Sequence, residues 1–254
     1  MANNVLPARA GELARGFAAS RLVPLKLSTA IGSIAVERVF DGLIVIFLLA
    51  VAIAAPGFPA DATVAGTSLH TVARWTGGFF VGLLGLLFAA VHAPAGALAL
   101  AGRALRAVLP DNAAEFAVTV ARNFIEGLSI LRAPRDFLRV VLWSFAVWLI
   151  NAAAFYTGFL AFHLDGLPLP AALLLQGVVA IGVAIPSSPG FFGPFEAFAR
   201  ASLGLYGVPA EGAVSFAVGI HLGWFLPITL LGLWSLARAN LSLADLRGGK
   251  EETP

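Results

Sequence analysis

Long apolar stretches separated by short polar connections dominate the chain. A helix needs about 20 apolar residues to cross a bilayer, and four stretches provide them: residues 28–54, 71–92, 137–162 and 210–237. The pattern therefore predicts four membrane-spanning helices. The first of them carries charged residues in its N-terminal half.

A fifth apolar stretch, residues 171–186, is too short for an ordinary crossing. As a helix it would be about 24 Å long, whereas the hydrocarbon core is about 30 Å thick. The segment IPSSPG (185–190) then breaks the helix, and a second short helix is predicted over residues 191–206. Two half-length helices around a Pro/Gly break indicate a re-entrant hairpin, which membranes tolerate where protein or a wet cavity covers the broken backbone. The predicted fold class is all-α, a polytopic helical membrane bundle.

The composition agrees with a membrane protein. Of the 254 residues, 59% are hydrophobic and 12% are charged, and the mean hydropathy is +0.90, which lies far from the globular average of about a quarter charged. The absence of cysteine excludes thiolate chemistry. A net charge of +2 does not favour nucleic acid as a partner. His163 and His221 have no second ligand at metal spacing, so no metal or cofactor is expected and both are interpreted as structural or interfacial.

The distribution of Lys and Arg predicts the orientation. Residues 103–136 contain five arginines, whereas the connections 56–70 and 162–170 contain neither Lys nor Arg. The positive-inside rule therefore places residues 103–136 in the cytoplasm and the other two connections outside. If residues 171–206 form a hairpin, the last span runs inward and the C-terminus is cytoplasmic.

Two distant segments share a pattern that suggests an inverted repeat. NNVLPARAGELARGFAASRLVP near the N-terminus and PSSPGFFGPFEAFARASLGLYGVP near the C-terminus both place Val-Pro seven residues after Ala-Arg, which aligns Arg15 with Arg200. The predicted organisation is a single membrane domain over residues 1–254, with a first repeat at 1–102, a cytoplasmic connector at 103–136 and a second repeat at 137–254. By analogy with the second repeat, one span and one half-span are expected upstream of Asn3.

Three motifs carry a family resemblance. NNVLPARAGELAR (3–15), IAVERVFDGLIVI (34–46) and IPSSPGFFGPFEAFAR (185–200) resemble the transmembrane domain of the lysylphosphatidylglycerol synthase/flippase family, and the similarity covers essentially the whole chain. The resemblance implies a prokaryotic cytoplasmic-membrane protein that moves aminoacylated or other phospholipids between leaflets. Relatives are sometimes fused to a cytoplasmic aminoacyl-transferase domain, which this sequence lacks.

Charged residues within the apolar regions are the candidate substrate-binding site. A charge inside a bilayer is costly, so such residues are paired or line a wet cavity. The candidates are Arg9, Glu12, Arg15, Glu37, Arg38, Asp41, Glu196 and Arg200. Helical spacing predicts local pairs between Glu12 and Arg15, among Glu37, Arg38 and Asp41, and between Glu196 and Arg200. Arg offers a bidentate fork for lipid phosphate, and the carboxylates could receive a headgroup ammonium.

Structural interpretations of the same residues stay open. Residues 5–22 could form an amphipathic helix on the membrane surface, and the charges of residues 37–41 could simply lock two helices together. The pseudo-symmetric alternative brings the segments around Arg15 and Arg200 together into one polar site.

Three classes of function fit the pattern. The favoured one is a lipid flippase with no enzymatic activity of its own. The alternatives are an embedded enzyme or partner of a lipid-modifying transferase, and a small-solute transporter, which would share the inverted repeat. The expected partners are phospholipid headgroups and the bilayer, with a homodimer left open.

Overall fold

The computed structural model describes residues 1–5, 11, 15–16, 18, 27–59, 63–64, 67–128, 133–184 and 188–238. These residues form helices and one short hairpin of strands. In chain order they are α1 (Ala2–Val5), α2 (Leu27–Ala54), β1 (Thr63–Val64), β2 (Thr67–Ser68), α3 (Leu69–His92), α4 (Pro94–Val108), α5 (Asp111–Leu128), α6 (Pro134–Ala161), α7 (Leu169–Ala184), a 3₁₀ turn (Pro189–Phe191), α8 (Pro194–Gly204) and α9 (Ala210–Arg238). The all-α class is confirmed, since each strand has two residues.

The long helices match the predicted spans. Both α6 and α9 are long and apolar enough to cross a membrane. Large apolar side chains on their outer surfaces are exposed, including Trp143 and Ile150 on α6 and Leu230 on α9. Such a surface is stable in lipid, where apolar side chains need no protein cover. The other two predicted spans correspond to α2 and α3, with 28 and 24 residues.

The predicted half-length helix is also present. It is α7, whose 16 residues end at Ala184. Its residues are apolar on every side, which is typical of a helix surrounded by protein, and most of them are buried. Beside Gly182 the ring of Phe198 from α8 leaves no room for a Cβ atom, so a glycine at this position lets the two short helices pack closely.

The second short helix begins three residues later than the sequence pattern predicts. A single 3₁₀ turn covers Pro189–Phe191, and α8 begins only at Pro194. The delay follows from the backbone: Gly190, Phe191 and Gly193 have φ angles of +68°, +62° and +93°, a left-handed region that interrupts a right-handed helix. Pro194 then starts α8 at the position where proline is best tolerated.

Both ends of the α7–α8 unit lie at the same loop. Pro168, just before α7, is adjacent to Gly57, and the ring of Tyr206, just after α8, packs edge-on against Phe58 with centroids 6.2 Å apart. A chain that enters and leaves beside one loop has turned back on itself. This geometry is that of a hairpin, and the loop at residues 55–59 belongs to the same connection that was predicted to lie outside.

The buried core surrounds this hairpin. One cluster joins α6, α7, α8 and α9 through Phe155, Phe159, Leu175, Leu203 and Phe216. A second cluster joins α2 to α6 and α7 through Ile44, Leu48, Ala152 and Leu174. The hairpin is therefore held on both faces by longer helices.

Helices α4 and α5 pack against each other; α5 lies within the connector predicted at residues 103–136, whereas α4 already begins at Pro94. The N-terminal segment α1 packs against the 3₁₀ turn and α9, and Asn4 donates a hydrogen bond to Thr229 at 2.8 Å. The described start of the first repeat segment therefore contacts the break of the second. The inverted symmetry itself stays a prediction.

Candidate functional site

A cavity of about 550 Å³ lies between α2, α6, α7, the 3₁₀ turn and α9. Apolar residues such as Val45, Phe155 and Val179 form most of its wall. Polar side chains interrupt this wall at Asn4, Arg38, Asp41, Trp148, Asn151, Gln176 and His221. An apolar cavity with a few converging polar groups is the usual form of a small-molecule site.

Charged side chains from α2 form an ion cluster at this wall. Arg38 binds Glu37 at 2.7 Å and Asp41 at 3.1 Å, and Arg15 also binds Glu37 at 2.8 Å. Trp148 of α6 donates its indole N–H to Asp41 at 3.2 Å. The local pairing predicted for Glu37, Arg38 and Asp41 is thus confirmed. Two cations balance two carboxylates, which lowers the cost of holding them in apolar surroundings.

The ion cluster is partly open. The side chain of Arg38 is 44% exposed, whereas that of Asp41 is 18% exposed. Arg38 can therefore present unused N–H groups to a ligand while Asp41, itself held by Trp148, fixes its position. A guanidinium in this state suits phosphate, because its planar fork can donate two parallel hydrogen bonds.

A second polar group lies where α9 meets the hairpin break. His221 is only 5% exposed; its Nδ1 lies 2.6 Å from a carboxylate oxygen of Glu196, and its Nε2 lies 2.8 Å from the carbonyl oxygen of Gly190. The rings of Phe192 and Phe195 pack on the imidazole at centroid distances of 4.6 and 4.3 Å. Both imidazole nitrogens are thus engaged in a site covered by aromatic rings.

The other oxygen of Glu196 accepts the backbone N–H of Gly193 at 2.7 Å. Glu196 is the third residue of α8, where a carboxylate commonly folds back to the helix N-terminus. This corrects the predicted Glu196–Arg200 pair. Arg200 lies one turn further along, is exposed, and forms no ion pair with the residues that the structure describes. Helical spacing indicates which side chains can pair, but it does not account for the attraction of a carboxylate to the N-terminus of its own helix.

Gln176 is the third notable polar group. It is 2% exposed, and neither atom of its amide has a hydrogen-bond partner among the described residues. Leaving such a group unpaired costs about 1–3 kcal/mol, so a ligand that fills the cavity could recover this energy. Sequence reasoning missed Gln176, although it is the only side chain in α7 that can donate and accept hydrogen bonds.

The structure divides the predicted site residues. The ion cluster brings together four of them, Arg15, Glu37, Arg38 and Asp41. Glu196 pairs with His221 in the second polar group. Arg9 and Glu12 lie outside the described residues. The substrate-binding role assigned to these residues stays a prediction. His221 was interpreted as structural or interfacial, and no sequence spacing could reveal its contact with Glu196, 25 positions away.

The fold and cavity define an α-helical membrane protein with a polar site between apolar helices. Residues 1–232 match the lysylphosphatidylglycerol synthase TM region, so the chain belongs to this family. It is also similar to Glycosyltransferase AglD of Haloferax volcanii, with 29% identity over 275 residues that cover 95% of this chain and 42% of that protein. The chain thus spans less than half the length of this relative. No solved structure matches the chain.

Proposed function

We propose that the protein moves a phospholipid, or an aminoacylated or glycosylated lipid, between the two leaflets of the membrane. The observation that carries the proposal is the cavity, in which a partly open ion cluster and an unpaired buried amide share a mostly apolar wall. A volume of about 550 Å³ falls in the range of about 300–1,000 Å³ that is typical of small-molecule sites. It suits a headgroup, while the lipid tails would remain in the bilayer.

Each polar group has a role in this proposal. Arg38 binds the lipid phosphate, and Asp41 holds Arg38 or receives a headgroup ammonium. Gln176 and Asn151 hydrogen-bond to uncharged headgroup atoms. Arg15 and Glu37 keep the ion cluster balanced when Arg38 turns to the ligand. We further propose a prokaryotic cytoplasmic membrane as the location, as the family resemblance implies, and a cytoplasmic C-terminus, from the distribution of Lys and Arg.

The test is lipid translocation in proteoliposomes. The purified full chain is reconstituted with trace fluorescent lipids that carry anionic, zwitterionic or aminoacylated headgroups, and a membrane-impermeant quencher reports how much lipid stays in the inner leaflet. Protein-dependent loss of protection for at least one lipid is expected. No acceleration over protein-free liposomes for any headgroup would contradict the proposal.

A second candidate is favoured by the name of the relative. Because AglD is called a glycosyltransferase and the chain aligns with less than half of it, this fold could serve as the membrane part that presents a lipid to a transferase. In that case, a labelled lipid would bind to the chain in proteoliposomes without crossing between leaflets. The same assay, combined with lipid photocrosslinking, separates the two functions.

A further inference from the structure

The hydrogen bonds of His221 determine how many protons its site holds. Its Nε2 faces the carbonyl oxygen of Gly190 at 2.8 Å, and a carbonyl oxygen can only accept, so Nε2 carries a hydrogen. A neutral imidazole has one N–H, and this contact uses it. Yet Nδ1 lies 2.6 Å from a carboxylate oxygen of Glu196, a distance typical of a short hydrogen bond. That contact needs a second proton, on either His221 or Glu196.

We propose that the Glu196–His221 pair is a proton-binding site and that the proton is the coupling ion for lipid movement. The coupling rests on the proposed function; the proton site does not. With the proton bound, the pair has no net charge in either arrangement. Without it, a lone pair of Nδ1 and a carboxylate oxygen face each other in a buried site that carries one negative charge. Because an unbalanced charge inside a membrane is costly, proton loss disfavours this geometry.

Among the described residues, no Lys or Arg forms an ion pair with Glu196. The buried helix α7 contributes no ionisable side chain, and Arg200 of α8 is exposed. Across the same cavity, α2 provides Arg38 and Asp41, which pair with each other. The other charged or titratable groups that the structure describes on the surrounding elements are the amino group of Met1 near α9, Glu37 of α2, Tyr156 in the middle of α6, Arg135, Asp136 and Arg139 in its first turns, and Glu211 and Arg238 at the two ends of α9.

Proton loss would act directly on the break in the hairpin. His221 holds the carbonyl of Gly190, and Glu196 holds the N–H of Gly193, so the pair fastens both ends of the turn to α9 and α8. Phe191 in this turn has a φ angle of +62°, and a residue other than glycine keeps such a backbone only where its surroundings impose it. Releasing either contact therefore frees the segment that closes one side of the cavity.

The first measurement tests the proton alone. ¹⁵N-histidine NMR of the full chain in nanodiscs is followed across pH, with His221 assigned through His221→Gln and the exposed His92 as an internal reference. One step is expected in the ¹⁵N shifts of His221, at the pH at which the Glu196–His221 pair loses its shared proton. The variant Glu196→Gln should abolish this step, because its amide N–H₂ can donate to Nδ1 of a neutral imidazole. Wild-type ¹⁵N shifts of His221 that do not change with pH, or that change identically in Glu196→Gln, would overturn the proposal.

The second measurement tests coupling. Proteoliposomes with a pH difference of one unit across the membrane are compared with proteoliposomes without one. If one proton moves with each lipid, the steady-state distribution of fluorescent lipid between leaflets should shift by about tenfold. Glu196→Gln should show no shift while still folding. A wild-type distribution that ignores the pH difference, although lipid crosses, would refute coupling; absence of any crossing would instead refute the proposed function and leave the NMR result to decide the proton site.

Discussion

The ion cluster of α2 and the Glu196–His221 pair both contribute to the wall of one cavity, but they are built differently. The ion cluster holds four charged groups, and Arg38 within it is 44% exposed. The pair holds one carboxylate and one imidazole, with His221 only 5% exposed and covered by aromatic rings. An open, balanced cluster can exchange partners with a ligand, whereas a closed pair can change only its protonation. The comparison therefore assigns headgroup binding to the ion cluster and proton-dependent control of transport to the Glu196–His221 pair.

The largest expected effect comes from opening the ion cluster. Arg38→Ala should lower lipid translocation by about 10- to 100-fold, which corresponds to the loss of hydrogen bonds to a charged group. Arg139→Ala is the matched control, because Arg139 also pairs with an aspartate three residues away but on the exposed start of α6. Rates come from the proteoliposome assay with equal amounts of folded protein. Equal losses in both variants would show that the ion cluster has no special role in transport.

The next effect concerns stability at the closed pair. Glu196→Ala leaves His221 Nδ1 and the N–H of Gly193 without the partner that they share, so we expect the free energy of unfolding in detergent to fall by about 3 kcal/mol. The variant Glu196→Gln keeps an acceptor for the N–H of Gly193 and a donor for Nδ1 of His221, so its free energy of unfolding should fall much less. If both variants are equally unstable, the carboxylate has a role in folding beyond these two contacts.

These two groups also show what the sequence could predict. The pairing of Arg38 with Asp41 was predictable because residues three positions apart share a helix face, whereas the contact between Arg15 and Glu37, 22 positions apart, was not. The half-length α7 was predictable because length and hydropathy set what can cross a bilayer. The Glu196–His221 contact was not, because it joins two helices whose relative position depends on the whole core. The predicted Glu196–Arg200 pair was wrong because the carboxylate turns to the start of its own helix. The late start of α8 follows from the positive φ angles of Gly190, Phe191 and Gly193, of which the sequence indicated only the two glycines.

A smaller effect tests whether Gln176 belongs to the ligand site. Gln176→Leu removes a buried amide that has no partner among the described residues, so the protein should become about 1–2 kcal/mol more stable in the absence of lipid. At the same time, discrimination among lipid headgroups should weaken, because the amide can no longer hydrogen-bond to the ligand. The measurements are detergent unfolding and the ratio of translocation rates for two headgroups. An unchanged ratio would remove Gln176 from the proposed site.

The smallest effect comes from Tyr206, which is the control for Gln176. Its hydroxyl is also buried without a partner among the described residues, but it lies in the loop between α8 and α9 and does not line the cavity.

Burial raises the pKa of Tyr206 from 10.0 to about 12. Because the folded-state pKa is the higher one, the stabilising contribution is complete below the unfolded-state value near pH 10 and is lost as the pH rises through the folded-state value. Tyr206→Phe should therefore flatten the alkaline part of the stability profile, change stability at neutral pH by less than about 1 kcal/mol, and leave headgroup discrimination unchanged. Altered discrimination in Tyr206→Phe would mean that any buried polar group affects transport, and the assignment of Gln176 to the ligand would lose its support.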